Sequence, residues 1–322
     1  MEKQYAVGID IGGSHISTAL VEMKSNQLLD VTQAERKVDN QAEAAQIMAT
    51  WCDAIQHSLS FVAPSQIAGL GLAMPGPFDY EQGIGDFENV EKYQHLKNFN
   101  VTTALHERLQ QPFTIRYVND AIAFGLGEYG YLEKEGFQRM TAITLGTGLG
   151  SSFINKGVPV LDDLSVPKKG WFGGLPYKDN IADDYFTTRW FLKQFYEVTG
   201  QTATGVKEIS DLAASSSLVR NIFEVFGERL GQLIGKWLVT FNTEILILGG
   251  NISNAYAWFG SALEHSLRVQ NIQVTIRLSV LKETASLLGS AMLLEETYWQ
   301  PIALLLKKCS HRRVMNEDIN RN

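Results

Sequence analysis

The sequence feature that most constrains the fold is the run 5–22, in which two apolar stretches flank a pair of adjacent glycines. The first stretch carries Asp10 near its end, Gly12 and Gly13 follow, and an alternating run begins after Ser14. This pattern predicts a strand, a tight turn and a returning strand. Glycines let the backbone N–H groups of such a turn approach a bulky anion closely. The run therefore predicts either an ordinary β-hairpin or a phosphate-binding hairpin, in which Asp10 would hold a hydrated Mg²⁺.

A similar pattern recurs in the second half of the chain. An apolar strand predicted at 140–145 runs into Gly146, Thr147 and Gly148, and a second short strand follows at 151–154. The first run has no Gly-Lys-Ser/Thr ending of a P-loop, and it leads into a strand rather than into a helix as a dinucleotide-binding motif does. Two matched hairpins, one in each half, indicate an internal structural repeat. Two glycine turns that face one another would contact a triphosphate from both sides.

A third feature is a carboxylate at the end of a strand. The apolar strand predicted at 113–118 is followed by Asn119 and Asp120, and a helix is predicted from Ala121 onward. Ligands of open α/β sheets gather at the carboxyl ends of the strands. Asp120 is therefore either a helix cap or a catalytic base, and the sequence leaves both interpretations open.

Two further segments are informative. A buried strand predicted at 244–248 ends in Gly249 and Gly250 before a helix at 255–267, so the backbone lies close to any group above the strand end. A helix predicted at 183–198 carries a broad aromatic face, which indicates either core packing or a subunit contact.

Composition excludes several classes of function. The chain has 322 residues and a net charge of −7, which fits one large or two medium domains and argues against nucleic acid as the main partner. No apolar run is long enough to span a membrane, and the N-terminus lacks a signal-peptide pattern. Cys52 and Cys309 lie too far apart for a disulfide framework or zinc spacing. A cytoplasmic protein without a membrane partner is the simplest expectation.

Both halves alternate strands and helices, and the chain resembles the two-domain actin/hexokinase-like fold, a duplicated ribonuclease H-like α/β architecture with a cleft between the domains. It more closely resembles the ROK family of bacterial repressors, open reading frames and sugar kinases. The resemblance rests on the following segments: 8–14, Pro75-Gly76-Pro77 with Asn89, 118–121, 145–150, and 248–253. It implies a small domain of residues 1–118 and 290–322 and a larger one of residues 119–289.

The resemblance also implies a role for each motif residue. ATP would contact both glycine turns and the later glycine pair, Asp10 would hold Mg²⁺, and Asp120 would act as general base. A small-molecule sugar would be bound by a set that includes Asp120. The implied nucleotide-binding residues are Asp10, Gly12, Gly13, Ser14, Gly146, Thr147, Gly148, Gly249 and Gly250, and the implied sugar-binding residues are Gly76, Asn89, Asn119, Asp120 and Asp183.

The departures from the family pattern are equally informative. Most members carry a Gly-Glu-x-Gly-His sugar-contact segment and a cysteine-rich zinc run, whereas the corresponding region 169–176 has no Glu, His or Cys. We therefore expect no zinc. Asp183 stands where a sugar-contacting glutamate would be. The first strand begins at Tyr5, which leaves no room before it for the DNA-binding domain of the family's repressors.

These observations predict an ATP-dependent kinase that phosphorylates a hydroxyl group of a hexose or an N-acetylhexosamine. The alternative is a catalytically weak sugar- or nucleotide-binding regulatory protein without a DNA-binding domain. The family resemblance, together with the aromatic face of 183–198, favours a homodimer.

Overall fold

A computed structural model describes residues 3–88 and 90–319, with side chains described as far as residue 308. The strands are β1 (Tyr5–Ile11), β2 (His15–Glu22), β3 (Gln27–Leu28), β4 (Ala34–Lys37), β5 (Ile67–Met74), β6 (Phe78–Asp79), β7 (Ile84–Gly85), β8 (Thr114–Asn119), β9 (Arg139–Leu145), β10 (Leu149–Asn155), β11 (Val158–Pro159), β12 (Pro176–Tyr177), β13 (Asn180–Ile181), β14 (Ile245–Gly249) and β15 (Thr275–Leu278). The helices are α1 (Ala44–Leu59), α2 (Val101–Leu109), α3 (Asp120–Leu132), α4 (Thr188–Thr199), α5 (Val206–Ala213), α6 (Ser217–Phe241), α7 (Tyr256–Val269), α8 (Thr284–Met292) and α9 (Glu296–Ile319).

The chain forms two compact units. The first comprises Met1–Tyr131 with Glu283–Asn322, and the second comprises Leu132–Lys282. The sequence places the boundaries at 118/119 and 289/290, whereas the units part at 131/132 and 282/283. Nearly all of α3, and the whole of α8, thus belong to the first unit. No helix in the described ranges has the length and apolar character needed to cross a membrane.

The two units have related sheets. In the first, the strand order is β3-β2-β1-β5-β8, with β4 also paired to β2; β1 is antiparallel to β2 and parallel to β5. In the second, the order is β11-β10-β9-β14-β15, again with an antiparallel hairpin followed by parallel neighbours. The predicted α/β class and both predicted hairpins are therefore confirmed. Each unit has its own apolar core.

A 3₁₀ turn at Asp30–Thr32 separates β3 from β4, because the buried Thr32 hydroxyl accepts the Leu20 N–H at 2.9 Å and donates to the Leu29 carbonyl at 2.7 Å. Helices α8 and α9 are separate, and α9 continues as far as Ile319. The aromatic face of 183–198 lies in the core of the second unit, which removes one of the two arguments for a dimer.

Glycines allow α8 to pack directly against the sheet of the first unit and against α3. An added Cβ atom would lie 2.1 Å from the Leu287 carbonyl oxygen at Gly8 and 2.0 Å from the Ala285 carbonyl oxygen at Gly127. At Gly289, it would lie 1.8 Å from the Ala123 carbonyl oxygen. Only hydrogen fits at these positions, so the backbones approach more closely than side chains would allow.

This contact generates a stability prediction. We expect Gly127→Ala to lower the free energy of unfolding by about 3 kcal/mol, because the new methyl group would push α3 away from α8. Gly130→Ala, on the same helix, is the matched control. Its Cβ would meet mainly the side chains of Asn26 and Met292 at 3.0–3.2 Å, and we expect a change of less than about 1 kcal/mol. Urea-induced unfolding measures both, and equal losses would contradict the prediction.

Candidate active site

The first glycine turn connects β1 to β2 and is held from outside. The Tyr93 hydroxyl donates to the Gly12 carbonyl at 2.6 Å, and the Asn40 side-chain amide donates to the Gly13 carbonyl. The Gly12 N–H is used within the turn, on the His15 carbonyl at 2.9 Å. The N–H groups of Gly13 and Ser14 donate to no acceptor in the described part of the chain. The turn therefore presents two available backbone donors, and the exposed Ser14 side chain adds a hydroxyl.

Asp10 lies at the end of β1 and is half-buried. Its pKa is raised to about 7, first by burial and then by repulsion from the carboxylates of Asp120 and Glu283. The three acidic residues come from separate segments of the first unit, so folding brings them together. A divalent cation would relieve this repulsion, and carboxylate oxygen is the ligand that Mg²⁺ prefers. Asp10 thus fits the predicted role of a magnesium-binding residue.

Asp120 is the first residue of α3, directly after β8, and is also half-buried. The Ala121 N–H donates to the Asp120 carboxylate at 2.9 Å and to the Asn119 side-chain oxygen at 3.1 Å. Burial raises the pKa of Asp120, whereas the nearby Lys92 ammonium is the largest influence that lowers it. The two interpretations of Asp120 are therefore compatible. It satisfies a backbone donor at the helix start, and it keeps a carboxylate at the strand end beside a cation.

Two of the predicted sugar-side residues, Gly76 and Asn119, lie next to Tyr80. The Asn119 amide donates to the Tyr80 hydroxyl at 3.3 Å, and that hydroxyl donates to the Met74 carbonyl at 3.2 Å. The same hydroxyl would lie 3.3 Å from a Cβ atom at Gly76. Burial raises the pKa of Tyr80, which keeps its hydroxyl neutral. Asn89, which the sequence also predicts to bind sugar, lies outside the described residues.

The second unit has a glycine turn of the same construction. The Thr188 N–H donates to the Gly146 carbonyl at 2.9 Å, and the Leu149 N–H donates to the Asp183 carboxylate at 2.6 Å. The N–H groups of Thr147 and Gly148 have no acceptor within the described ranges. This turn too leaves two adjacent backbone donors available.

Asp183 has a structural contact that the sequence does not predict. One carboxylate oxygen holds the end of the turn through Leu149, and the other accepts from Arg189 at 3.3 Å. Its proposed contact with a sugar remains a prediction.

The later glycine pair, which is predicted to contact ATP, lies at the end of β14. Gly249 is the last residue of that strand, and Gly250 follows with a φ of +79°. A Cβ atom at Gly250 would lie 2.4 Å from the Leu145 carbonyl oxygen, next to the second glycine turn. The strand end and the turn are thus joined within the second unit.

The segment that departs from the family pattern forms two short 3₁₀ turns, at Lys168–Gly170 and Phe172–Gly174. The Trp171 indole N–H between them donates to the Leu149 carbonyl at 2.9 Å. Ser151 accepts the Phe172 N–H at 2.8 Å. These bonds cover the outer edge of β10. Within the described residues, no three His, Cys, Asp or Glu side chains lie together as metal ligands do.

Sequence reasoning missed three residues of the first unit's site: Lys92, Tyr93 and Glu283. Lys92 and Tyr93 lie in an irregular loop with no periodic pattern. Glu283 is remote in sequence from the other site residues. A long, aromatic-rich loop between β7 and α2 was the only signal that could have pointed to the first two.

The model of the ROK family matches residues 6–161 and 188–297. The chain belongs to the ROK family. The ROK match omits 162–187, which includes the segment that lacks the family's Glu and His residues.

Curated relatives of this ROK chain include a glucokinase of Thermotoga maritima. It is 25% identical over 328 residues, covering 92% of this chain and 99% of the relative. An N-acetyl-D-glucosamine kinase of Haemophilus influenzae is 24% identical over 268 residues, covering 77% of this chain and 84% of the relative. The structure of a ROK family glucokinase from Streptomyces griseus, in complex with glucose and AMPPNP, has a TM-score of 0.72 and 20% sequence identity. The match covers 90% of this chain and 98% of that structure. The predicted family and the actin/hexokinase-like fold are confirmed.

The raised pKa of Asp10 generates a pH-dependent prediction. Because the folded state binds the proton more tightly than the unfolded state, stability should fall as the pH rises from about 4 to about 7. Asp10→Asn removes this cost. We expect its Tm to exceed that of the wild type by roughly 3–8 °C at pH 8, and the difference to vanish below about pH 4.

Thermal unfolding at several pH values, without nucleotide or divalent cation, measures the effect. The exposed Asp30, changed to Asn, is the control and should leave the Tm unchanged at each pH. A pH-independent difference between wild type and Asp10→Asn would contradict the assignment of the raised pKa.

Proposed function

We propose that this protein is an ATP-dependent sugar kinase that transfers the γ-phosphoryl group to a hydroxyl of a hexose or N-acetylhexosamine. The observation that carries the proposal is the pairing, within the first unit, of a half-buried Asp120 at a strand end with a glycine turn whose backbone donors are available. The first group suits proton acceptance, and the second suits phosphate binding.

The enzyme class, a carbohydrate kinase, is confirmed by the family match and by the curated relatives. The named activities of those relatives, a glucokinase and an N-acetyl-D-glucosamine kinase, support a hexose or N-acetylhexosamine acceptor.

The phosphate groups would be bound by backbone donors. In the first unit, these are the N–H groups of Gly13 and Ser14 together with the Ser14 hydroxyl. The turn of the second unit, considered by itself, offers the N–H groups of Thr147 and Gly148 as donors of the same kind. Such donors stabilise charge without reorganising, because the turns are already held by neighbouring side chains.

Asp120 would accept the proton of the attacking sugar hydroxyl. A carboxylate whose pKa is raised by burial is a better base than an ordinary exposed one. The Ala121 N–H orients its carboxylate, and Asn119, held by Tyr80, would hydrogen-bond a second sugar hydroxyl. Gly76 lies close to the same tyrosine. Position and orientation would supply much of the remaining rate enhancement.

Asp10 would hold Mg²⁺ through water. The ion, when bound, supplies positive charge that offsets the negative charge of the phosphate oxygens. The repulsion that raises the pKa of Asp10 is the feature of this chain that fits a cation there.

A regulatory sugar- or nucleotide-binding protein is the second candidate. It is favoured by the segment 168–174, where Trp171 and a pair of glycines stand in place of the family's Glu and His. A Mg·ATP-dependent thermal shift, with and without a panel of sugars, distinguishes the two. A kinase should bind nucleotide, and sugar should strengthen that binding, whereas a pure sensor should respond to sugar alone.

The base assignment leads to a mutational prediction. Asp120→Asn should lower kcat by about 10²- to 10⁴-fold, because the proton acceptor is lost while the side-chain shape is kept. The measurement is coupled ADP release with glucose, mannose, N-acetylglucosamine and N-acetylmannosamine.

Asp53→Asn is the control, because Asp53 is an exposed carboxylate whose partner is Arg36, and it should retain wild-type turnover. If Asp120→Asn turns over as fast as the wild type, Asp120 is not the base.

A further inference from the structure

Lys92 is a cation within the first unit's site that the proposed function leaves unassigned. Its backbone position is fixed by the next residue. Tyr93 is fully buried, adopts a left-handed φ of +61°, and donates its N–H to the Asn40 carbonyl at 3.0 Å. Its hydroxyl binds the Gly12 carbonyl, and its ring packs edge-on against Trp51 with centroids 5.6 Å apart. The loop therefore holds Lys92 against the glycine turn.

The Lys92 side chain lies over that turn. Its Cδ atom is 3.8 Å from the position of a Cβ atom at Gly13, which is ordinary van der Waals contact. The ammonium group is two bonds further along. It forms no ion pair within 4.0 Å among the described residues, and Lys92 is half-buried. A lysine whose stem is packed and whose charge has no close partner retains its capacity to bind an anion.

The electrostatic surroundings indicate which anion. Asp10, Asp120 and Glu283 make the neighbourhood acidic, so an arriving phosphoryl group would be repelled. The ammonium acts on Asp120, whose pKa it lowers, and its stem lies on the turn with the available donors of Gly13 and Ser14. Lys92 thus stands near both the group that receives the proton and the backbone that receives phosphate.

We propose that the Lys92 ammonium contacts the γ-phosphoryl group of ATP and stabilises its charge during transfer; this inference rests on the proposed kinase function. In that step, a bond forms between the sugar hydroxyl oxygen and the γ-phosphorus, and the bond from the γ-phosphorus to the oxygen bridging the β-phosphate breaks. The hydroxyl proton passes to Asp120, and ADP leaves with the bonding electron pair. Lys92 keeps its proton throughout and acts by charge alone.

The test compares three variants. Lys92→Met keeps the length of the stem and removes the charge, and Lys92→Arg restores a charge in another shape. Lys97→Met is the matched control, because Lys97 lies in the same loop but pairs with Glu88 at 2.9 Å. The measurements are kcat on the active sugar, Tm, and the calorimetric Kd of AMPPNP and of ADP, each with Mg²⁺.

We expect Lys92→Met to lower kcat by about 10²- to 10³-fold, as loss of one transition-state donor does. AMPPNP binding should weaken by about tenfold or more, whereas ADP binding should change by less than about threefold, because ADP lacks the γ-phosphoryl group. Lys92→Arg should recover part of both losses, and Lys97→Met should match the wild type. The Tm should be unchanged in Lys92→Arg and Lys97→Met, and it should fall slightly in Lys92→Met, because that variant loses the charge that lowers the pKa of Asp120.

Equal weakening of AMPPNP and ADP, or a kcat within about threefold of the wild type in Lys92→Met, would overturn the proposal. The binding measurements separate this inference from the proposed function. If the wild type phosphorylates none of the sugars, the kinase proposal fails, and the ratio of the two affinities still decides whether Lys92 contacts the γ-phosphoryl group.

Discussion

The first unit depends on the close backbone approach that its glycines allow. Helix α8 follows the second unit in sequence, yet it packs on β1 and α3 with only hydrogen atoms between the backbones at Gly8, Gly127 and Gly289. These contacts set the spacing of three carboxylates. β1 carries Asp10, α3 begins with Asp120, and Glu283 directly precedes α8. A larger residue at one of the glycines would shift one carboxylate relative to the others.

The charge balance of this site follows from that spacing. Two half-buried carboxylates that repel one another lower the stability of the protein when no cation is bound. The raised pKa of Asp10 reflects this unfavourable burial and repulsion. A site of this kind gains stability when a cation or a proton arrives. Lys92 supplies one fixed positive charge, and the proposed magnesium ion would supply more. The negative charge of the three carboxylates thus matches the positive charge of the cation that the proposed reaction requires.

The two units achieve the same turn by different means. In the first turn, Tyr93 and Asn40 donate to two carbonyl groups. In the second, Thr188 donates to one carbonyl of the turn, and Asp183 accepts from the N–H group at its end. In both, the external bonds leave two successive N–H groups available. Side chains from outside each hairpin thus restrain its backbone, so that the donors need no reorganisation when an anion binds.

The sequence by itself determined the local features: both hairpins, the positions of their glycine turns, and the placement of Asp120 at the start of a helix. Each follows from neighbouring residues, through alternation, turn chemistry or a strand-to-helix junction. The sequence also predicts an aromatic face at 183–198. Only packing decided that this face lies in the core of the second unit and not in a subunit contact.

Tertiary structure alone decided which remote residues join those features. Lys92 and Tyr93 lie in a loop without periodicity, and Glu283 lies beyond the whole second unit, so no local pattern links them to Asp10 or to the first turn. The role of Asp183 at the second turn also emerged only from the fold. Contacts between distant segments depend on how elements pack, and packing is governed by shape and backbone approach rather than by spacing along the chain.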